Sequence, residues 1–174
     1  HAEAEGNLFR RAQGHWNGKV TDRGRRQIDA LAERFRGVKI DAVYSSDLFR
    51  TMTTAGALYK SRGLELHTDP GLREIGGGVW EDKTWGWLHR ENEGALDAFN
   101  RADPAWQVEG SETFGGVQMR VTHAIRRIAA AHPGQTVAIF SHGTAIRTAL
   151  AKFYGYPLDQ IARVPHGDNT CVSK

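Results

Sequence analysis

The 174-residue sequence has one cysteine, two methionines and five prolines, little net charge, and no long apolar run. Each scarcity excludes something. A lone Cys171 cannot close an internal disulfide, so nothing asks for an oxidising compartment. The chain around it is also too short to form the arginine-closed loop that a cysteine phosphatase needs, and Cys171 is expected to be a small buried residue. No stretch approaches the roughly 20 apolar residues of a membrane span, and no signal peptide is visible, so the expected location is cytoplasmic, with no membrane partner. Lys and Arg total 23 against 20 Asp and Glu, a net charge of +3. The basic residues are spread out, with only short clusters such as Arg23, Arg25 and Arg26. That argues against nucleic acid as a partner, although a mild positive potential helps draw in a small anionic substrate. There is no Gly-x-x-x-x-Gly-Lys-Ser/Thr loop and no dinucleotide glycine fingerprint; Gly76-Gly77-Gly78 lacks the strand-turn-helix context. The eight histidines form no His-Glu-x-x-His pair or Cys/His cluster, so neither a metal nor a cofactor is expected.

What is present is ordinary globular composition, 40% apolar and 25% charged, over a length that suits one domain spanning 1–174. Thr21 reads as an N-cap, with Ile28, Leu31, Ala32 and Phe35 at helical spacing and Gly37 as the stop. Residues 41–46 read as a short buried strand, 48–61 as a helix ending before Gly63, and 64–67 as another strand. Between Asp69 and Trp106 the pattern loosens. Four tryptophans there (Trp80, Trp85, Trp87, Trp106) suggest loops and short helices rather than a core layer, a lid region at about 76–110. Val117, Val121, Ile125 and Ile128 mark a long amphipathic helix ended by Pro133-Gly134. Val137–Phe140 is the clearest strand, and Ala145, Ile146, Ala149, Leu150 and Phe153 share one face of the following helix. Alternating strands and helices predict an α/β fold, a three-layer α/β/α sandwich with a mostly parallel central sheet. In such sheets ligands bind beyond the carboxyl ends of the strands. Ser45-Ser46 and Ser141-His142-Gly143 stand at those ends.

Taken singly, the polar residues near these strand ends each have a plain reading beside a chemical one. His142 sits between a strand and a glycine opening a helix, where N–H groups favour an anion; it could equally be a histidine satisfied at a strand end. Arg50 lies in the first turn after Ser45-Ser46, where a solvated arginine is common. Glu74, before the glycine cluster, reads as readily as a surface glutamate.

Their spacing is more specific. His1-Ala2-Glu3-Ala4-x-x-Asn7 resembles the start of the Arg-His-Gly-Glu-x-x-x-Asn motif of the histidine phosphatase superfamily, also called phosphoglycerate mutase-like. Six further segments are similar to that family's motifs, in family order. They are Arg11-Ala12-Gln13-Gly14; Thr21-Asp22-Arg23-Gly24 with Gln27; Tyr44-Ser45-Ser46-Asp47-Leu48 with Arg50, Thr54 and Ala55; Leu72-Arg73-Glu74 through Trp80-Glu81; Ser111-Glu112-Thr113 with Arg120; and Ser141-His142-Gly143. The resemblance covers nearly the whole chain, with departures. Ala2 and Ala4 replace commoner Gly and Thr/Ser, and Asp82 stands where Gly is usual. The family's first strand and the arginine before the first histidine would lie upstream of His1. Thr170–Lys174 reads like a strand cut short, so the sequence is expected to be an internal fragment of a slightly longer protein.

The resemblance implies a phosphoglycerate mutase-like fold and a metal-independent phosphomonoesterase of the histidine acid phosphatase type. His1 would attack phosphorus as a neutral imidazole, its other nitrogen held by a backbone carbonyl. Arg50 would grip two phosphoryl oxygens with its planar fork. His142 would donate a further hydrogen bond, with Asn7, Arg11, Gln13, Gly14 and the Gly143 N–H completing the cradle. Glu74 is the implied general acid, protonating the leaving oxygen and then activating water; Glu3 and Glu112 are lesser candidates with structural roles. The expected substrate is a small phosphomonoester, and a homodimer is compatible with the sequence. Only about 37 residues separate Glu74 from Glu112, shorter than the insertion typical of the mutases, which favours phosphatase over mutase. A non-catalytic scaffold binding phosphorylated ligands is the alternative of another class.

Overall fold

The computed structural model describes residues 1–174. Three parallel strands form the sheet: β1 (Ala42–Ser45) in the centre, β2 (Leu66–Thr68) on one side and β3 (Val137–Phe140) on the other. Val43 lies opposite both Leu66 and Ala138, and Ser45 opposite both Thr68 and Phe140. The three carboxyl ends therefore finish on one edge.

The period of two along each strand assigns the layers. Val43, Leu66, Ala138 and Phe140 pack with Leu31, Ile40 and Leu58, beneath α2 (Asp22–Arg34) and α3 (Phe49–Tyr59). Tyr44, Val137 and Ile139 pack on the other face with Leu72, Ala124 and Ile128, beneath α6 (Phe114–Ala131). The three-layer α/β/α arrangement expected from the sequence is present. Helix α2 starts where its cap predicts, the Thr21 hydroxyl accepting from the Gly24 N–H at 3.0 Å. Helix α3 gives way to a 3-10 turn that ends at Gly63, φ +63°. Helix α7 (Gly143–Phe153) buries Ala145 and Ala149 but leaves Phe153 exposed, under the Arg126 guanidinium. None of the helices, which include the short α1 (Glu5–Leu8), is long and apolar enough to cross a membrane.

Three expectations need correction. The Trp-rich stretch does form short helices and loops, but two of its tryptophans belong to the core, while Trp87 stays exposed. Between the short helices α4 (Trp85–Glu91) and α5 (Glu93–Asn100) and the long α6, Trp80 and Trp106 are each 3% exposed, their rings 5.3 Å apart edge-on. Phe99 and Phe114 close on Trp106 at 4.9 and 5.7 Å, within the largest apolar cluster of the molecule. Aromatic rings meeting edge to face fill space without helical periodicity, which is why no amphipathic pattern announces them. Trp106→Ala is accordingly expected to cost about 3–5 kcal/mol, read as a lower denaturation midpoint with little change in slope. Thr170–Lys174 forms no strand: Thr170 sits at φ +62° and the Cys171 N–H closes back on the Asp168 carbonyl at 3.0 Å, a turn rather than an extended run. Cys171, past that turn, is exposed rather than buried.

Candidate active site

One cavity of about 800 Å³ opens at the carboxyl edge of the sheet; the nine residues given a catalytic or phosphate-binding role line it, and the lesser candidates Glu3 and Glu112 do not. They arrive from separate elements. His1 opens an extended segment whose N–H groups are tied to two helices: Ala2 N–H to the Thr54 hydroxyl on α3 at 2.9 Å, Glu3 N–H to the Gln27 side-chain carbonyl on α2 at 2.8 Å. Ala2 and Ala4 are fully buried beneath it, so these positions take small side chains. His1 Nδ1 lies 2.8 Å from its neighbour's carbonyl, Ala2 O. A carbonyl only accepts, so Nδ1 carries the proton and Nε2, which has no protein partner, keeps its lone pair.

Arg50 is fully buried on the first turn of α3. Its two terminal nitrogens donate to Trp16 O and Gly14 O, each at 2.8 Å, which fixes the plane of the guanidinium. Burial lowers its pKa to about 10, with Glu74 and Glu81 opposing; it remains a cation at neutral pH. The carbonyl of Gly14 is placed by a turn at φ +49°, and a Cβ there would fall 2.2 Å from Glu81 Oε1. That same oxygen accepts from the His15 and Gly77 N–H groups at 2.9 Å, so Glu81 shapes the loop beneath Arg50.

His142 is the N-cap residue of α7 and is fully buried. Its ring centre lies 5.2 Å from that of His1 at 60°, and its Nε2 is 2.9 Å from the Ser46 hydroxyl. Burial first, and the nearby Arg50 cation second, hold its pKa well below the ordinary histidine value. A neutral imidazole follows. Four buried side-chain polar atoms in the whole protein lack any partner: Gln13 Oε1, Arg50 Nε, His142 Nδ1 and Trp106 Nε1. All four belong to residues of this one cavity wall.

Glu74 departs from the simple picture of a helix start open to an anion. Its Oε1 accepts from Ile75 N–H at 2.9 Å and Ala145 N–H at 3.0 Å, and its Oε2 from Thr144 N–H at 3.1 Å. The carboxylate itself occupies the N-terminus of α7, where negative charge is favoured, and only the Gly143 N–H is left for another anion. Its backbone is pinned as well. Arg120 donates to the Gly71, Arg73 and Glu74 carbonyls while pairing through two nitrogens with Glu112, and His15 Nε2 lies 2.9 Å from Glu74 O. Partial burial works against ionisation of Glu112, but its bonds from Arg120 and the Gly76 N–H outweigh it and its pKa is lowered. Glu3 accepts from Thr21 at 2.7 Å and pairs with Arg23, so both lesser carboxylates hold structure. Arg11 reaches the cavity but spends its Nη1 on Asp82, on the carbonyl at 2.6 Å and the carboxylate at 3.1 Å. Asp82 is at φ +64°, the left-handed region in which glycine costs least. The Asn7 side-chain oxygen accepts from Ala4 N–H at 3.1 Å.

The sequence reading left Glu81, His15, Ser46 and Arg120 without roles, although each lies in or beside a matched motif. No group of three or more His, Cys, Asp or Glu side chains is placed to hold a metal ion.

The family model for the histidine phosphatase superfamily (branch 1) matches residues 1–174. The chain belongs to that superfamily. It is a family of phosphatases and mutases, in which transfer through a phosphohistidine is general. Among related histidine phosphatase proteins, the probable phosphoglycerate mutase GpmB of Cronobacter sakazakii is 29% identical over 157 residues, 90% of this chain and 73% of the relative. The solved structure of Bacillus stearothermophilus YhfR superposes with TM-score 0.93 at 33% identity, covering 98% of this chain and 84% of that one. A mycobacterial glucosyl-3-phosphoglycerate phosphatase in complex with VO3 gives TM-score 0.91 at 27% identity, covering 97% and 86%.

For this superfamily member the buried His142 carries a pH consequence. Its folded pKa lies below the unfolded value near 6.5, so between the two the unfolded chain binds the extra proton. The stability it contributes is full above pH 6.5 and is lost as pH falls below it. His166, exposed overall but lowered by desolvation of its ring and by Arg147, acts with the same sign. The expected result is a melting temperature that falls from pH 7.5 to pH 5.5, with a shallower fall in His142→Asn. An equal slope in that variant removes His142 as the cause.

Proposed function

We propose that this chain is a phosphomonoester hydrolase that works through a phosphohistidine on His1. The observation that carries the reading is a pair of buried nitrogens without partners, Arg50 Nε and His142 Nδ1, in residues that line one cavity with a histidine whose tautomer leaves Nε2 free. Buried polar atoms without partners are costly, and an arriving phosphoryl group supplies what Arg50 Nε and His142 lack. In this reading the Ser46 hydroxyl, 2.9 Å away, donates to His142 Nε2, which puts the ring proton on Nδ1 to meet a phosphoryl oxygen. The side-chain amide of Gln13 and the Gly143 N–H add neutral donors.

In the first step His1 Nε2 bonds to phosphorus as the ester P–O bond breaks, and the leaving oxygen takes a proton from Glu74. Because Oε1 already receives two N–H bonds and Oε2 one, Oε2 is the oxygen with room for that proton. In the second step water attacks phosphorus, gives its proton to Glu74, and the N–P bond breaks to release inorganic phosphate. Charge on the transferring group is met by Arg50, whose plane is set before substrate arrives.

Positive charge from arginine makes a metal unnecessary, and the rate of phosphate release from an aryl phosphate is expected to be unchanged by excess chelator. A chelator-dependent loss that zinc or magnesium restores contradicts this. The similarity to a probable phosphoglycerate mutase gives a second reading, transfer of the phosphoryl group back to substrate. The two separate on 3-phosphoglycerate: hydrolysis releases inorganic phosphate, whereas a mutase yields 2-phosphoglycerate without net release.

A further inference from the structure

Two arginines are buried in this protein, Arg50 and Arg147. The reaction above uses only the first. Arg147 lies on α7, three residues beyond Thr144, whose N–H holds Glu74. That spacing puts it on the same helix face, about 5 Å farther along the axis. Its Nε donates to the Val164 carbonyl at 2.6 Å and its Nη1 to His166 Nε2 at 2.8 Å. No carboxylate pairs with it, and Nη2 has no protein partner. Asp168, the only acidic side chain of the cavity wall besides Glu74, makes no ion pair with it.

A structural purpose accounts for part of this. The bond from Nε to Val164 ties the segment after α7 back onto the helix. It does not account for the charge, because a neutral donor would serve there, and desolvation already lowers the Arg147 pKa while its Nη2 stays unspent beside the cavity. His166 sharpens the point. A guanidinium only donates, so His166 Nε2 accepts, the ring is neutral, and its proton is on Nδ1, which again has no protein partner. Arg147 and His166 both line the main cavity, and both line a smaller recess of about 200 Å³ beside it, walled by Trp85 and Phe99. The recess therefore offers unspent donors from one cation and one neutral ring, in apolar surroundings that strengthen a charge-assisted contact.

We propose that Arg147, with His166 behind it, forms a second anion subsite that selects phosphomonoesters whose leaving group carries another anionic group, a carboxylate or a second phosphate. This rests on the hydrolase reading for the reacting end of the substrate. The helix acts as the ruler: the reacting phosphoryl group lies near Glu74 at the start of α7, and the second anion one turn along it.

The test uses three compounds of one carbon length: glycerol 3-phosphate, 3-phosphoglycerate and glycerol 1,3-bisphosphate. Binding is titrated directly on His1→Ala, and turnover is followed on the otherwise unchanged protein. The expected result is at least about tenfold tighter binding of one or both two-anion compounds than of glycerol 3-phosphate, the scale of a hydrogen-bonded charge contact. Whichever binds better distinguishes carboxylate from phosphate. Arg147→Gln should erase the preference through the dissociation constant and KM, leaving kcat on glycerol 3-phosphate within about twofold. Should that variant not fold, His166→Phe, at an exposed position, is the second reading: it should reduce the preference severalfold while the melting temperature holds. Equal binding of all three compounds, or a preference unchanged in whichever of these variants folds, overturns the subsite. Turnover by His1→Ala would overturn the hydrolase mechanism instead, leaving the binding ratios to decide the subsite alone.

Discussion

Replacing His1 by Ala or Asn is expected to lower kcat for any phosphomonoester by about 10⁴-fold or more, since it removes the imidazole lone pair that takes the phosphoryl group in the proposed first step. Loss of fold does not supply the effect. The His1 side chain makes one hydrogen bond, to its own neighbour's carbonyl, and the segment is anchored through backbone N–H groups that both variants keep. Asn is the sharper variant, because its amide can replace the bond to Ala2 O while offering no imidazole lone pair. Melting temperatures close to that of the unchanged protein should accompany the loss. Activity within tenfold of the unchanged protein in either variant means that the nucleophile is elsewhere.

Glu74→Gln is expected to have the second-largest effect, and its size should depend on the leaving group. An alkyl alkoxide leaves poorly without a proton, so turnover of an alkyl phosphate should fall about 10²–10⁴-fold. An aryl phosphate departs as a stable phenolate, so its first step should be nearly untouched. The second step still lacks the base that activates water. The variant should then show a burst of phenol close to one equivalent per enzyme, followed by slow turnover. Gln keeps an oxygen for the Ile75 and Ala145 N–H groups but turns its NH2 toward the Thr144 N–H, so a small loss of stability is expected as well. An equal fall for aryl and alkyl substrates without a burst contradicts the acid and base role of Glu74.

Much of this was legible in the sequence because local rules are strong where the chain turns from strand to helix. The Thr21 cap, the β-branched run at 137–140 and the polar residues directly after β1 and β3 placed the layers and the edge where the cavity opens. Histidine, arginine and glutamate at motif spacing identified residues that arrive at the cavity from four separate segments. Other features were not legible, for physical reasons. The aromatic cluster around Trp106 is built by contacts between residues far apart in sequence, with no period to betray it. The sequence offers the N–H groups at the start of α7 to an anion, yet a long-range partner, Glu74, already takes those of Thr144 and Ala145. Asp82 looked like a departure from a glycine pattern; only its φ of +64° and its pairing with Arg11 show what glycine and aspartate share there. Arg147 carries no signal in the sequence, because a buried arginine without a counter-ion is visible only once its surroundings are known.

The central claim is a covalent intermediate on His1, and the slow second step of Glu74→Gln makes it observable. The variant would be mixed with an aryl phosphate labelled on phosphorus, quenched in alkali within the burst, and digested for peptide mapping. The account predicts close to one equivalent of protein-bound phosphate, stable in alkali, lost in acid, and located on His1. No bound phosphate during a burst, or label on any other residue, would contradict it.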